Sequence, residues 1–324
     1  WHLVAVAFAN GLLTTIFGIA YQSFLPAIVP REELVGANAR LEASSSVAGV
    51  AGPGLAGLLV QALSAPVAIV GDALSFFVSG LLLWRIRAAE SPPAAARAGL
   101  WREIGVGVRA VASAPILRAL AGSTATFNFF DSFLMAVYVL YLTRELGMAP
   151  GAVGVVFTIG GLGGLLGATL AARIGRLVGL GRTMIGAIGL AACGELGIAL
   201  AGGPPLVVLA IVGAGEATVQ GAAVVFGVNG VSLRQAVTPD RLRGRVNATM
   251  RTLRTGLVPL GALLGGAVAA RFGLRPAVTV AGVGTLLAVL WPLLSPVRGL
   301  RVAPEPVDDE PDLPGTRAAG EPVA

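Results

Sequence analysis

Residues 205–229 have the sequence PLVVLAIVGAGEATVQGAAVVFGVN, in which Glu216 is the single ionisable side chain. The run exceeds the roughly 20 apolar residues that an α-helix needs to cross the hydrocarbon core of a bilayer. It lacks the strict alternation of apolar and polar residues that is typical of a membrane barrel strand. In lipid, only a helix or a closed barrel satisfies all its backbone hydrogen bonds, so this stretch predicts a transmembrane helix.

Similar apolar runs occur along the whole 324-residue chain. We place the others at residues 3–25, 43–63, 66–84, 119–142, 150–172, 183–201, 251–271 and 275–297. Composition agrees, because 55% of the residues are apolar and only 12% are charged, about half the charge of a soluble domain. The sequence therefore predicts an all-α membrane protein, a polytopic bundle with nine transmembrane helices, and excludes an ordinary soluble protein.

The 23 basic residues are all arginines, and their distribution predicts the orientation of the chain. Basic residues remain in cytoplasmic loops when a membrane protein inserts. The gaps between apolar runs place 20 arginines on one side and only Arg144, Arg271 and Arg275 on the other. We therefore expect a multi-pass protein of the cell membrane with a cytoplasmic C-terminus. Because the arginines are spread among loops, we expect no nucleic-acid partner.

Two segments do not fit a membrane span. Residues 85–118 contain a Pro-Pro pair and then apolar residues at helical spacing, which predicts a cytoplasmic linker ending in an amphipathic interfacial helix. Residues 298–324 are rich in proline and acidic residues, which predicts a disordered cytoplasmic tail. The chain is thereby divided into a helical part at 1–84 and a six-helix half at 119–297.

An internal repeat links the beginning of the chain to its end. A single shift of the sequence on itself superposes Pro30 on Pro239, Asn38 on Asn247, Ala39 on Ala248, Gly52 on Gly261 and Gly57 on Gly266. Parallel repeats of this kind build transporters. The repeat pairs the first three apolar runs with the last three and leaves the middle three unmatched. We therefore expect three further helices before residue 1, and twelve in all.

Three motifs carry a resemblance to a known family. They are LPAIVPREEL with the following Ala37-Asn38 at residues 25–38, AGVAGPGLAG at residues 48–57, and GATLAARIGR at residues 167–176. They are similar to the loop after the fourth helix, the fifth-helix antiporter motif and the cytoplasmic gating loop of the major facilitator superfamily. The branch that matches is that of enterobactin-exporter-like and drug-efflux-like proteins, over nearly the whole chain except the tail.

The resemblance assigns motif roles to several residues. It implies that Gly52, Pro53 and Gly57 belong to the antiporter motif, and that the gating-loop motif comprises Gly167, Arg173, Gly175 and Arg176. Alanines replace two antiporter-motif glycines, and Ala172 replaces the aspartate of the gating loop. Glycine lets helix backbones approach closely, which suits either moving joints or tight packing alone.

Four acidic residues fall within the apolar runs: Asp72, Asp131, Glu195 and Glu216. A charge at the bilayer centre costs at least ~2.5 kcal/mol, so such residues face protein or water, or are protonated. At 1.5 Å per residue, Asp131 and Glu216 lie about 17 Å into their helices. Asp72 is closer to the end of its span, so solvation by water explains how its charge is tolerated there. The resemblance implies that Asp131 and Glu216 lie on cavity-lining helices, whereas Glu195 and Asp72 lie on outer helices, where we expect a structural hydrogen-bond role.

We predict that Asp131 and Glu216 couple transport to protons, because a carboxylate in low dielectric readily takes up a proton. The alternative is that both acids merely bond neighbouring helices. Candidate substrate contacts share these helix faces or lie in the first apolar run. They are Asn128, Phe127, Phe130, Gln220, Asn10 and Gln22, with core packing as the alternative for the two phenylalanines.

These observations predict a monomeric, proton-coupled exporter of a small amphipathic molecule of the drug or siderophore type. An importer on the same fold and an inactive truncated fragment are the alternatives. No metal site or cofactor is expected, since the chain has one cysteine, Cys193, and one histidine, His2. We also find no nucleophile and base pair of an enzyme, and no phosphate-binding loop with its lysine.

Overall fold

The structure is a computed structural model that describes residues 33–86 and 100–302, together with positions 6, 9–14, 16–17, 28–29 and 304. Every regular element among these residues is helical, and seven helices are long and apolar enough to cross a membrane. They correspond to the last seven predicted runs. The first run lies mostly outside the described residues, and the apolar part of the second, Val47–Leu63, is shorter than a full span. The all-helical bundle is confirmed, whereas nine spans and twelve in all stay predictions.

The chain divides into two compact units, Trp1–Ala98 and Gly99–Ala324. In the first unit, α1 (Leu34–Leu63) is followed by α2 (Ala65–Trp84). The chain turns between them at Ser64, which has a positive φ of 112° and donates its backbone N–H to Val60 O at 3.2 Å. A positive φ is uncommon outside glycine, so the junction is a locally constrained turn.

The second unit begins with α3 (Leu100–Ser113) and α4 (Pro115–Leu140), which continues as a π-helical turn at Tyr141–Glu145. Its remaining helices are α5 (Pro150–Val178), α6 (Leu180–Ala199), α7 (Pro205–Val237), α8 (Asp240–Gly256), α9 (Val258–Phe272), α10 (Leu274–Leu287), α11 (Leu290–Leu293) and a 3₁₀ turn at Pro296–Gly299. Proline opens α4, α5 and α7 at the first helical position, where its missing N–H is not needed.

The helices of the second unit pack in two groups. In one group α7 contacts both α5 and α6, and in the other α4 contacts both α9 and α10. Contacts between α10 and α6 join the groups. A site on α4, α6, α7 and α10 therefore draws on both groups at once.

Glycines allow these contacts to be close. A Cβ at Gly163 or Gly167 of α5 would collide with backbone atoms of Ala217 or Gly221 in α7. Lipid is as apolar as the helices themselves, so close packing replaces the hydrophobic effect as the force between helices. The glycines of α5 therefore allow its close packing against α7.

The end of the described chain is tied to the bundle. Leu180 N donates to Arg301 O at 3.1 Å, and Gly181 N donates to Leu300 O at 2.9 Å. Ordered backbone contacts therefore continue beyond the predicted tail boundary at residue 298.

Candidate functional site

Two adjacent acids are positioned by a reciprocal glycine contact between α6 and α7. A Cβ at Gly194 would lie 2.9 Å from Gly215 O, and a Cβ at Gly215 would lie 3.0 Å from Gly194 O. The next residue after each glycine is a glutamate, Glu195 on α6 and Glu216 on α7. The close approach of the two backbones thus brings both acids to the same level of the bundle, where they interact electrostatically.

Glu216 is almost fully enclosed, with 2% of its surface exposed. Gln220, one turn further along α7, donates its Nε2 hydrogen to Glu216 Oε1 at 3.0 Å. On α5, Gly160 leaves the space that the Glu216 side chain fills. On α4, the Tyr138 hydroxyl faces Glu216 but has no hydrogen-bond partner of acceptable geometry among the described residues.

Asp131 lies near the middle of the membrane-capable segment Pro115–Glu145 and is half-buried. It interacts electrostatically with Glu216 and with Glu195. The three acids come from α4, α6 and α7, so they belong to both helix groups of the second unit. The structure brings the two predicted coupling residues together and adds Glu195 to them.

Glu195 differs from the sequence-based expectation. Its side chain is fully buried, and neither carboxylate oxygen has a hydrogen-bond partner among the described residues. The hydroxyl of Thr285 on α10, which is also fully buried and unpartnered there, lies beside it. Sequence reasoning gave Glu195 a structural hydrogen-bond role on an outer helix, whereas in the described residues its carboxylate has no hydrogen bond of acceptable geometry and interacts electrostatically with Asp131 and Glu216.

The predicted substrate contacts on α4 make local or packing interactions. Asn128 donates Nδ2 to Thr124 O of its own helix at 2.8 Å. Phe127 packs against a buried apolar cluster. Phe130 contacts Gly284 on α10 and borders a cavity of about 250 Å³. For both phenylalanines, substrate contact and core packing stay predictions.

The predicted residues of the first unit are described only within that unit. Asn10 is exposed and accepts a hydrogen bond from Thr14 Oγ1 at 3.2 Å, while Gln22 lies outside the described residues. The antiporter motif is part of the continuous helix α1, which includes Pro53. No atom lies within 4 Å of a Cβ placed at Gly52, among the described residues.

The gating motif is helical. Residues 167–176 lie in the last turns of α5, which ends at Val178, beyond the end of the predicted apolar run at residue 172. Gly167 and Gly175 are buried, while Arg173 and Arg176 are exposed. The helix continues because Ala, Leu, Ile and Arg in this stretch are compatible with helix and no proline interrupts them.

Sequence reasoning missed a buried asparagine that this motif contacts. Asn229 on α7 donates Nδ2 to Val225 O at 2.8 Å and to Ala171 O at 3.4 Å. A Cβ at Gly175 would lie 2.7 Å from Asn229 Oδ1. Sequence reasoning also missed Tyr138 and Thr285 as neighbours of the buried acids. The sequence of one helix does not indicate which residues of other helices face it. The one available signal was the Gly-Glu pair at 194–195 and 215–216.

Comparison with known proteins agrees with this architecture. An MFS-type transporter of Sinorhizobium fredii, y4rN, is 29% identical over 292 residues, which cover 88% of this chain and 70% of that protein. A bacterial metal transporter structure has a TM-score of 0.66 at 17% identity, with 91% of this chain and 74% of that chain covered. A bacterial homologue of the iron transporter ferroportin, in an inward-facing state, has a TM-score of 0.58 at 18% identity, with 84% and 66% covered.

The likeness to the two solved structures concerns the fold alone, because their sequences are so distant. The family match is one of sequence and covers nearly the whole chain. Residues 1–313 match the family described as transmembrane secretion effector. The chain therefore belongs to the transmembrane secretion effector family and is a membrane transporter of the MFS type.

Proposed function

We propose that the protein is a proton-coupled exporter of a small amphipathic molecule, with Asp131 and Glu216 as the residues that carry the coupling proton. The observation that carries this proposal is the enclosure of Glu216, at 2% exposure, beside Asp131 of the other helix group. An ionised carboxylate at this depth costs ~2.5 kcal/mol or more. Each acid is therefore a favourable place for a proton to be taken up and released.

The position of the two acids on different helix groups supports a mechanism. When both carboxylates are ionised, their repulsion favours separation of α4 from α7. When one is protonated, that repulsion disappears and the helices pack closely. Proton occupancy thus biases the bundle between two arrangements, and a substrate bound in one of them is carried with it.

Export is favoured over import by two observations. The family description is that of a secretion effector, and the motifs resemble those of exporters. The arginine distribution supports a cytoplasmic C-terminus, which orients the gating motif toward the cytoplasm as well. An amphipathic substrate is supported by the resemblance to drug-efflux-like and siderophore exporters.

A metal ion is the second candidate substrate. The two structural neighbours are a bacterial metal transporter and a bacterial homologue of the iron transporter ferroportin. Within residues 33–86 and 100–302, no group of three His, Cys, Asp or Glu side chains is placed to hold a metal ion. A transport assay should therefore include a metal beside the organic probes.

The test uses the full chain in everted membrane vesicles with an acidic interior. Ethidium, a catechol of the siderophore type and Mn²⁺ serve as probes. We expect accumulation of an organic probe that collapses when the pH gradient is removed, and that is lost in Asp131→Asn and Glu216→Gln but kept in the exposed control Asp72→Asn. Accumulation only in right-side-out vesicles would favour an importer, and accumulation of Mn²⁺ alone would favour metal transport. Full activity of both acid variants would overturn the coupling proposal.

A further inference from the structure

Glu195 is a buried acid that the proposed coupling pair leaves unused. Its side chain is 0% exposed, and Oε1 and Oε2 both lack a hydrogen-bond partner among the described residues. Burial removes the water that stabilises an ionised carboxylate, and in the part of the chain that the structure describes no donor replaces it at hydrogen-bonding geometry. Buried polar groups in proteins are nearly always hydrogen-bonded, so two unpartnered oxygens on one carboxyl group require an explanation.

The surroundings of Glu195 favour the neutral acid over the carboxylate. The groups that interact with it electrostatically are Asp131 and Tyr138 on α4 and Glu216 on α7. From α10 the Thr285 hydroxyl, which can donate or accept, faces it. The charged Arg275 of α10 bonds instead to Ala199 O and Ala201 O at the end of α6. A carboxylate among other acids is destabilised further by repulsion between like charges.

The charged residues of α5 and of the segment Pro296–Gly299, which also contact α6, lie far from Glu195. The exposed arginines of α5 lie in its last turns, next to the first turn of α6, whereas Glu195 is in the last turns of α6. The segment Pro296–Gly299, which carries Arg298, contacts α6 at Gly181, again near its start. The charged groups of these two elements therefore lie at the opposite end of α6 from Glu195.

Two further buried hydroxyls point to an exchangeable proton at this site. The Tyr138 hydroxyl faces Glu216, and the Thr285 hydroxyl faces Glu195. Both residues are 0% exposed, and in the described part of the chain neither hydroxyl has a hydrogen bond of acceptable geometry. A hydroxyl group can both donate and accept hydrogen bonds. It can therefore donate to a neighbouring carboxylate and accept from the same group when that group is protonated.

We propose that Glu195 is a third proton-binding site of the bundle, held as the neutral acid beside Thr285 and able to pass its proton to Asp131 or Glu216. When either acid is ionised, the proton leaves the Glu195 carboxyl oxygen and binds that carboxylate. Glu195 is then the carboxylate until it receives a proton in turn, so one proton moves and no other bond changes. The exchange step rests on the proposed proton coupling, whereas the neutral state of Glu195 does not.

Infrared difference spectroscopy tests the neutral state without any substrate. The full chain is reconstituted in liposomes at neutral pH, and wild type is compared with Glu195→Gln. We expect the variant to lose the C=O stretching band of one carboxylic acid. Loss of carboxylate bands instead, or no loss at all, would overturn the proposal. Thr285→Val is the matched control, in which the acid band should persist but shift in frequency because the facing hydroxyl is gone.

Ethidium accumulation in acid-loaded everted vesicles tests the exchange step. A glutamine at this position can neither release nor take up a proton, so Glu195→Gln should slow the initial rate of accumulation about tenfold. An unchanged initial rate in a variant that has lost the acid band would overturn the exchange step. If wild type accumulates no ethidium, the proposed function fails for this probe, and the infrared result still decides the state of Glu195.

The same variant also provides the control for correct folding. Gln has the shape of the protonated glutamate, so Glu195→Gln should retain the thermal unfolding midpoint of wild type in detergent. A large drop in the midpoint would contradict the neutral state, because it would mean that a buried charge had been removed from a partner that needs it.

Discussion

Gly160 of α5 and Glu216 of α7 share one space in the bundle. A Cβ added at Gly160 would lie 2.6 Å from Glu216 Cγ and 3.2 Å from its Oε1. The absence of a side chain at Gly160 therefore leaves room for the carboxyl group to which Gln220 donates a hydrogen bond at 3.0 Å. This gives the glycine a role in positioning a functional acid, beyond close packing of helices.

Gly160→Ala should displace the Glu216 side chain from its rotamer and break the bond to Gln220. We expect proton-driven transport to fall about tenfold, equivalent to ~1.4 kcal/mol, while the protein still inserts in the membrane. The measurement is ethidium accumulation in everted vesicles. Gly164→Ala is the control, because its Cβ would lie at an ordinary 3.7 Å from Val224 Cγ2. Equal losses in the two variants would show that helix packing alone is responsible.

Tyr138 and Tyr141 should respond differently to removal of the hydroxyl, although both are 0% exposed. The Tyr141 hydroxyl bonds to Ile198 O at 3.1 Å and lies 3.2 Å from Ala199 O, so Tyr141→Phe should destabilise the fold by about 0.5–1.5 kcal/mol. The Tyr138 hydroxyl lacks such a partner among the described residues, so Tyr138→Phe should leave stability unchanged or higher. Thermal unfolding in one detergent compares them, and an equal loss would refute the assignment.

Arg275 ties the end of α6 to the start of α10. It donates to Ala199 O at 3.2 Å and to Ala201 O at 3.1 Å, and it lies 3.7 Å from Glu145 Oε1. Hydrogen bonds from a charged group contribute about 1.5–3 kcal/mol, whereas an ion pair between side chains that are 41% and 39% exposed contributes little.

Arg275→Ala should therefore lower stability more than Glu145→Gln does. We expect a loss of about 1.5–3 kcal/mol for the first variant and less than about 1 kcal/mol for the second. Thermal unfolding midpoints in detergent provide the comparison, with the exposed Arg271→Ala as the control. If Glu145→Gln were as harmful as Arg275→Ala, the ion pair would be the main contribution.

Gly175 in the gating motif should be coupled to Asn229. Gly175→Ala would place a Cβ 2.7 Å from Asn229 Oδ1, so we expect a loss of about 1–3 kcal/mol from overpacking. The double variant Gly175→Ala/Asn229→Ala should lose less than the two single variants combined, by about 0.5–3 kcal/mol. Gly186→Ala, with no described atom within 4 Å of its Cβ, is the control. Additive losses would show that the two residues do not interact.

The sequence by itself determined the helices and their membrane character. Apolar runs such as 205–229 are local features, and in lipid they have no alternative to a helix that satisfies its own backbone. The same local rule located Asp131 and Glu216 within their spans, because position along a helix follows from residue number alone. The predicted run 150–172 already includes most of the gating motif, and the helix extends further, to Val178, because no proline interrupts it.

Only the tertiary structure decided which residues meet across helices. Glu195 and Glu216 are brought together by a backbone contact between Gly194 and Gly215, and Thr285 reaches Glu195 from a helix much further along the chain. Helices in lipid choose partners by the fit of small residues on both surfaces. That fit is a property of two helices together, so no single apolar run contains it.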